Sequence, residues 1–344
     1  MNHFITNNRK RIIAILTFTA GVLMANIINY NYSSRLDKQY IKDFNKGYRI
    51  FAINTPKDLN FAGEKVPINN FEVRENIDRE FLINTYWQSQ SILFLKRSHR
   101  WFKIIEPILK QYKIPNDFKF LALIESGLTN AVSSAGAVGF WQFMEPTAKQ
   151  YGLQVDEDVD ERYDVEKSTI AACKFFNEAF NQYHNWTMVA AAFNMGSNGL
   201  NKQVDLQKVN NYYDLLLNQE TSRYVFRILA AKEILGNPKK YGFYIRKSDL
   251  YPTIPTHNFK VDSAITNLTD FAFKLDINYK VLKIFNPWLR KPNLSNPTSK
   301  TYTIKIPNKG FDDYEYLLNN FSETNLDTNP IDTSNYYLLS DSLN

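Results

Sequence analysis

Residues that cross-link chains or bind metals are scarce in this sequence of 344 residues, which has one cysteine and four histidines. A lone cysteine cannot form an internal disulfide or a thiolate metal cluster. Cys173 lies in the apolar run 170–173, which predicts a buried, inert side chain. We expect neither a metal nor another cofactor.

A concentrated charge of one sign is also missing. The net charge is +6, but the charged residues are scattered along the chain. The sequence has no basic stripe on a helix-turn-helix and no zinc knuckle, so we expect no nucleic-acid partner. Apolar residues make up 44% and aromatic residues 15% of the chain, which indicates a packed globular protein. The basic bias suits an anionic polymer without identifying one.

The chain has one long apolar run, at residues 12–28, and Arg9, Lys10 and Arg11 precede it. Basic residues before an apolar run predict export of the chain that follows. We interpret residues 1–29 as a signal peptide or an N-terminal membrane anchor. The pattern leaves open whether this segment is cleaved, and a buried helix of the globular domain is the alternative.

Hydrophobic spacing divides the rest of the chain. Residues 30–74 are polar or rich in proline and asparagine, and indicate a linker and an irregular segment. Helical spacing dominates 75–250, and no alternating strand precedes residue 250. Residues 258–308 combine helical spacing with an alternating strand at 302–306, and 322–344 have the composition of a disordered tail. The predicted fold class is mainly α, with a small α+β unit near the C-terminus. We predict helices at about 78–112, 115–126, from 146, 165–183, 187–193, 212–217 and 221–235.

The predicted helix at 115–126 is apolar on nearly every side and carries Glu125 near its C-terminal end. Apolar neighbours and the negative end of the helix dipole both raise the pKa of a carboxyl group. A raised pKa suits a general acid that works near neutral pH. The helix alone does not distinguish this role from a buried glutamate that is paired with an arginine, or from one that points outward. Glu145 and Glu178 are predicted to be exposed.

Two later segments combine small residues with polar ones. In 133–144, glycine and alanine allow close backbone approach, Gln142 offers hydrogen bonds, and Trp141 and Phe143 offer flat surfaces for sugar stacking. The segment lacks the Lys-Ser/Thr ending of a phosphate loop. Residues 189–196 predict a tightly packed helix, near whose end Asn194 could reach a sugar N-acetyl group. Tight packing with a C-cap is the preferred explanation for that helix in isolation.

Four motifs occur in one order: Glu125-Ser126, then a Ser133-to-Met144 motif with Gly136, Ala137, Gly139 and Gln142, then residues 192–196, then residues 220–224. Their order and spacing resemble the soluble-type lytic transglycosylase family, and within it subgroup D of the membrane-bound lytic murein transglycosylases. The resemblance covers roughly residues 75–245, and the run at 160–164 also resembles that subgroup.

The resemblance implies a lysozyme-like helical domain that cleaves the bond between N-acetylmuramic acid and N-acetylglucosamine in peptidoglycan, forming a 1,6-anhydro product in the periplasm or cell envelope. The implied catalytic residue is Glu125. The implied substrate-binding residues are Ser133, Gln142, Met144, Phe193, Asn194 and Tyr224. The implied partners are peptidoglycan glycan strands and, through the N-terminal segment, the membrane.

One position departs from the family pattern. The family usually has tyrosine at position 193, where its hydroxyl orients the acid, whereas this chain has Phe193. Tyr224 is a candidate substitute. A catalytically weak or inactive peptidoglycan-binding protein, and a lysozyme-type hydrolase on the same fold, are the alternatives. A structural envelope protein fits the four ordered motifs poorly. Residues 258–308 resemble a degenerate LysM module, which would bind N-acetylglucosamine-containing glycans, although its opening Gly-Asp-Thr turn is missing.

Overall fold

The computed structural model describes residues 17–21, 24, 38 and 52–321. Most of the predicted signal or anchor segment and the predicted tail at 322–344 lie outside the described residues, as does most of the linker before residue 52. Among the helices that are described, none is both long enough and apolar enough to cross a membrane.

Helices form most of the described chain up to residue 250, and we refer to residues 59–250 as the helical domain. Its helices are α1 (Phe71–Tyr86), α2 (Gln88–Gln111), α3 (Lys119–Ser126), α4 (Glu145–Gln150), α5 (Val165–Tyr183), α6 (Trp186–Met195), α7 (Ser197–Gln207) and α8 (Gln219–Gly236). Short asparagine and aspartate side chains fix several helix starts. Asn70, Asp164, Asn185 and Asn218 each accept a hydrogen bond from a backbone N–H of the first turn.

The centre of the helical domain consists of helices that have no polar face. In α3 every side chain from Lys119 to Ile124 is buried. In α6 the residues Ala190, Ala191 and Ala192 are fully buried, and their small side chains allow neighbouring helices to approach closely. Cys173 on α5 is fully buried, as predicted, and burial raises the pKa of its thiol to about 12.

Four details of this domain differ from the predictions. The predicted single helix at about 78–112 is instead two helices, α1 and α2, which begin at Phe71 and are separated at Trp87. A two-residue hairpin, β1 (Asn60–Phe61) with β2 (Glu64–Lys65), precedes residue 250, and its Phe61 is fully buried in the main core. The helix α7 was not predicted. The predicted helix at 212–217 is wrong, because only a single 3-10 turn, Tyr212–Asp214, is formed there.

The second unit consists of residues 256–307, which we call the C-terminal unit. Its strands β3 (Thr256–Val261) and β4 (Tyr302–Pro307) pair antiparallel, and α9 (Leu268–Lys274) and α10 (Tyr279–Phe285) lie between them in sequence. A further helix, α11 (Tyr314–Phe321), follows. The predicted fold class, mainly α with a small α+β unit, is confirmed.

Candidate active site

The site is centred on the end of α3. Gly127 ends this helix in the left-handed conformation, at φ +62°, and its N–H bonds to the carbonyl of Leu123 at 2.8 Å. A Cβ at this position would lie 3.2 Å from Arg97 Nη1 and 3.3 Å from Phe94, so both backbone and space favour glycine. This helix end presents the half-buried side chain of Glu125 toward α8.

Among the residues that the structure describes, one side chain donates directly to Glu125. The Tyr224 hydroxyl on α8 donates a hydrogen bond to Glu125 Oε1 at 2.6 Å, and Tyr224 is 1% exposed. The guanidinium of Arg227, one turn further along α8, donates to the carbonyl of Ile124 at 3.0 Å. Tyr224 therefore holds one carboxylate oxygen in place, while Arg227 holds the backbone beside it.

Burial is the largest influence on the pKa of Glu125 and raises it. The hydrogen bond from Tyr224 and the positive charge of Arg227 act in the opposite direction, and the carboxylate of Glu220 adds to the rise. The net effect raises the pKa of Glu125 above its ordinary value. A carboxyl group of this kind retains its proton to higher pH, as a general acid requires.

Tyr224 itself stays protonated. Its burial, together with the negative charge of Glu125, raises its pKa well above the ordinary value for tyrosine. The hydroxyl is thus a permanent donor to the carboxylate.

The glycine-rich loop, residues 131–144, is held by its own hydrogen bonds. Ser133 Oγ accepts from the N–H of Ala137 at 2.9 Å. Gln142 has a positive φ of +49°, and its Nε2 donates to the carbonyls of Ala131 and Gly139 at 3.0 and 2.7 Å. Both side chains therefore shape the loop.

The loop reaches the end of α3 through Ser126, whose hydroxyl donates to the carbonyl of Phe140 at 2.9 Å. The Met144 side chain, at the end of the loop, is 43% exposed. No contact found among the described residues joins Ser133 or Met144 directly to Glu125.

The prediction that Trp141 and Phe143 offer surfaces for sugar stacking is wrong. Trp141 is fully buried and Phe143 is 3% exposed. The indole N–H of Trp141 donates to Thr169 Oγ1 at 2.9 Å, so its polar atom is also satisfied inside the core. These aromatic rings instead pack the loop onto α5 and α6, where they contact Phe176 and Phe193. Burial of their large apolar surface stabilises this position of the loop.

Phe193 on α6 is half-buried in the same aromatic cluster. Its ring lies 5.1 Å from that of Phe176, 5.3 Å from Phe175, 5.8 Å from Phe143 and 6.1 Å from Trp141, measured between centroids. Three of these pairs are edge-to-face and the pair with Phe176 is tilted, and aromatic pairs at these distances stabilise packing. Phe193 therefore fixes the glycine-rich loop against α5 and α6.

Asn194 connects α6 to the start of α8. Its Oδ1 accepts from Thr221 Oγ1 at 2.7 Å, and its Nδ2 donates to Glu220 Oε1 at 3.3 Å. The third and fourth sequence motifs thus meet beside Glu125, and the asparagine side chain acts as more than a helix cap.

A cavity of about 470 Å³ lies next to this centre, between the ends of α1, α2, α3 and α8. Trp87, which is 61% exposed, lines it, as do Glu220, Arg223 and Arg227. The sequence analysis missed Arg227 as a residue of the site. The signal was present, because residues 220, 224 and 227 fall on one face of a helix.

Glu145 and Glu178, the other acids considered, are exposed, as predicted. Glu145 forms an ion pair with Lys149, one turn along α4. Neither has the buried surroundings of Glu125.

A helical domain with a half-buried glutamate at a helix end, a glycine-rich loop and a C-terminal α+β unit agrees with two family models. Residues 103–216 match the transglycosylase SLT domain, and residues 257–310 match the soluble lytic transglycosylase C-terminal LysM-like domain. The first match includes every predicted site residue except Tyr224.

Among curated proteins, the chain is similar to membrane-bound lytic murein transglycosylase D of Escherichia coli strain K12, and to the protein of the same name from E. coli O6:H1. Each is 28% identical over 210 residues, which cover 59% of this chain and 45% of the relative. The chain thus matches less than half the length of these relatives. The resemblance stated from the sequence motifs is confirmed, in the form of an SLT domain and a LysM-like domain.

Proposed function

We propose that this chain is a peptidoglycan lytic transglycosylase that acts in the cell envelope, with Glu125 as its single acid/base. The observation that carries the proposal is the Glu125 carboxyl group, which is held by Tyr224 at 2.6 Å and has a raised pKa at the end of a buried helix. The SLT match and the similarity to murein transglycosylases support the substrate class.

The proposed reaction has two proton transfers. Neutral Glu125 gives its proton to the oxygen that links N-acetylmuramic acid to N-acetylglucosamine, and the C1–O bond breaks. The resulting carboxylate then accepts the proton of the muramic acid 6-hydroxyl, whose oxygen bonds to C1. The product is a 1,6-anhydro sugar, and Glu125 recovers its proton without consuming water. Closure within one sugar benefits from proximity.

Tyr224 serves both steps in this proposal. Its hydroxyl stabilises the carboxylate that forms when Glu125 releases its proton, which lowers the barrier of bond cleavage. It also supplies a donor at Glu125 in a chain whose residue 193 has no hydroxyl. Ser133, Gln142, Met144, Phe193 and Asn194 are proposed to shape or line the glycan groove.

The direct test is Glu125→Gln, with Glu178→Gln as a matched control on an exposed acid. We expect Glu125→Gln to lower the release of soluble muropeptides from purified peptidoglycan by at least about 100-fold, the usual scale of general acid–base catalysis. Glu178→Gln should retain the rate of the unmodified protein. Comparable turnover by both variants would contradict the assignment.

A lysozyme-type hydrolase is the second candidate, and Glu220 is the observation that favours it. Its carboxylate is close enough to raise the pKa of Glu125, so the site contains a second acid. Paired carboxylates are the usual arrangement for hydrolysis. We expect Glu220→Gln to weaken binding more than turnover, because Glu220 positions Asn194. A loss of kcat as large as that of Glu125→Gln would favour the hydrolase.

A catalytically inactive peptidoglycan-binding protein is the remaining alternative. It predicts that the unmodified chain binds the polymer and releases no soluble muropeptides, which a sedimentation assay combined with product analysis would show.

A further inference from the structure

The contact between the C-terminal unit and the helical domain involves a segment that also contacts the glycine-rich loop of the proposed site. We call residues 154–163 the bridging segment. Its Val159 is fully buried in the core of the C-terminal unit and pairs with Leu289 in a β-bridge. On either side of this pair, the N–H of Asp160 donates to the carbonyl of Trp288 at 2.9 Å, and the N–H of Arg290 donates to the carbonyl of Asp158 at 2.8 Å.

Charged groups extend this contact. Glu161 is 3% exposed, accepts from the N–H of Gln154 at 2.8 Å, and pairs with Lys167 at 2.6 Å and with Lys300 of the C-terminal unit at 3.2 Å. Burial alone would raise the pKa of Glu161, but the hydrogen bonds from Gln154 and Lys167 outweigh it and hold the pKa below its ordinary value. Glu161 is therefore a buried carboxylate that joins the two units, and the positive charge of Lys300 helps to neutralise it.

The other side of the bridging segment holds the glycine-rich loop. Arg162 is 8% exposed and forms a bidentate ion pair with Asp160. Its Nε donates to Asp160 Oδ1 at 2.9 Å, and its Nη2 donates to Asp160 Oδ2 at 2.7 Å. Its remaining nitrogen, Nη1, donates to the carbonyls of Gly136 and Phe143, each at 3.3 Å. One guanidinium thus joins two points of the loop, Gly136 in its middle and Phe143 near its end, to the segment that packs against the C-terminal unit.

The backbone of the same arginine also contacts the loop. A Cβ placed on Gly139 would lie 2.0 Å from the carbonyl oxygen of Arg162, so only glycine permits this approach. The loop therefore cannot shift relative to residue 162 without losing either the guanidinium bonds or this close packing.

From these contacts we infer that the C-terminal unit is a fixed part of the active site, which positions the glycine-rich loop through Arg162. This inference rests on the proposed function for its consequence in catalysis. It assigns Arg162 as a positioning residue, since it holds the loop without contacting Glu125. It also predicts that Lys300 on the C-terminal unit affects substrate binding indirectly. Lys300 pairs with Glu161, which is next to Arg162 in the chain, and Arg162 holds the loop.

The test compares Lys300→Glu with Lys260→Glu in the full chain. The first variant places a carboxylate beside buried Glu161, whereas the second makes the same charge change on the exposed face of β3. We expect Lys300→Glu to raise the KM for peptidoglycan on the order of 2- to 30-fold, the scale of such coupling between contacting networks. Its kcat and the alkaline limb of its pH profile should be unchanged. Lys260→Glu should match the unmodified protein, and Lys300→Arg should retain the normal KM.

A purely structural role predicts a different pattern, in which a smaller folded fraction lowers kcat while KM is unchanged. That pattern, or equal KM values for Lys300→Glu and Lys260→Glu, would overturn the inference. If Lys300→Glu does not fold, Arg162→Lys decides, because lysine keeps the charge but its three N–H donors cannot make both bonds to Asp160 and both bonds to the carbonyls. A raised KM in that variant supports the inference, and a normal KM overturns it.

A readout that is independent of activity keeps this test separate from the proposed function. Hydrogen exchange of the amides in residues 131–144 should be faster in Lys300→Glu than in Lys260→Glu. Equal exchange would contradict the inference even in an active enzyme. An unmodified chain that cleaves no peptidoglycan would refute the proposed function, while the exchange comparison still decides whether the C-terminal unit holds the loop.

Discussion

Replacing Tyr224 with phenylalanine removes one oxygen atom from the centre of the proposed site. That oxygen donates to Glu125 Oε1 at 2.6 Å from a side chain that is 1% exposed. Phenylalanine fills the same space, so the packing of α8 is retained and the loss is confined to the hydrogen bond.

The size of the expected loss in kcat follows from the negative charge on the acceptor, the Glu125 carboxylate. A hydrogen bond to a charged group contributes about 1.5–3 kcal/mol. If the bond acts fully on the carboxylate that forms as the glycosidic oxygen is protonated, its loss lowers kcat by about 10- to 150-fold. A neutral Glu125 in the ground state gains less from this donor, so KM should change little.

The expected shift of the pH profile in Tyr224→Phe has a definite direction. The proposed first step needs protonated Glu125, so activity falls as the pH rises through the pKa of this group. The Tyr224 hydrogen bond lowers that pKa against the larger effect of burial. Removing the bond raises the pKa further, and the alkaline limb of the kcat profile should move to higher pH.

Tyr241→Phe provides the matched control. Tyr241 is also buried, and its hydroxyl donates to a carboxylate on α8, Glu233, at 3.1 Å. This variant should keep both the rate and the pH profile of the unmodified protein. An unchanged kcat in Tyr224→Phe, or a shift of its alkaline limb to lower pH, would refute the reasoning.

Two further predictions concern stability. Because burial raises the folded-state pKa of Glu125, ionisation destabilises the fold as the pH rises through that pKa, so Glu125→Gln should raise the Tm at neutral and alkaline pH. The gain should disappear below the ordinary pKa of glutamate, and a gain confined to acid pH would contradict the assignment. Gly139→Ala should lower the Tm far more than Gly136→Ala, since both glycines have positive φ but only the added Cβ at 139 would meet the carbonyl of Arg162. Equal losses in thermal unfolding would show that the close approach at residue 139 is not rigid.

The parts of the fold that sequence analysis could predict are those with a strong periodic signal. The helix α5 begins and ends where the spacing indicates, because apolar residues recur on one face from Val165 onward. The helix α7 was missed because it has one buried residue, Leu200, and is therefore nearly polar all round. The strands β1 and β2 have two residues each, which is too short for a visible alternation.

In the site, too, sequence analysis could predict the residues with a strong local signal and not those whose surroundings depend on distant residues. Glu125 could be singled out because an acid stands alone on an apolar helix, and Gly127 marked the end of that helix. The burial of Trp141 could not be inferred, since a local pattern cannot show whether an aromatic ring faces solvent or the neighbouring helices. The contacts of Arg162 depend on residues up to 26 positions away, and the short motif at 160–164 does not indicate them.

The most direct test of the proposal is the mass of the sugar end that the unmodified protein leaves on peptidoglycan. Digestion of purified peptidoglycan followed by mass spectrometry of the muropeptides should give 1,6-anhydro-muramic acid ends, lighter by one water than reducing ends. Reducing ends as the main product would contradict the proposed transfer to the 6-hydroxyl, and would assign Glu125 to a hydrolase.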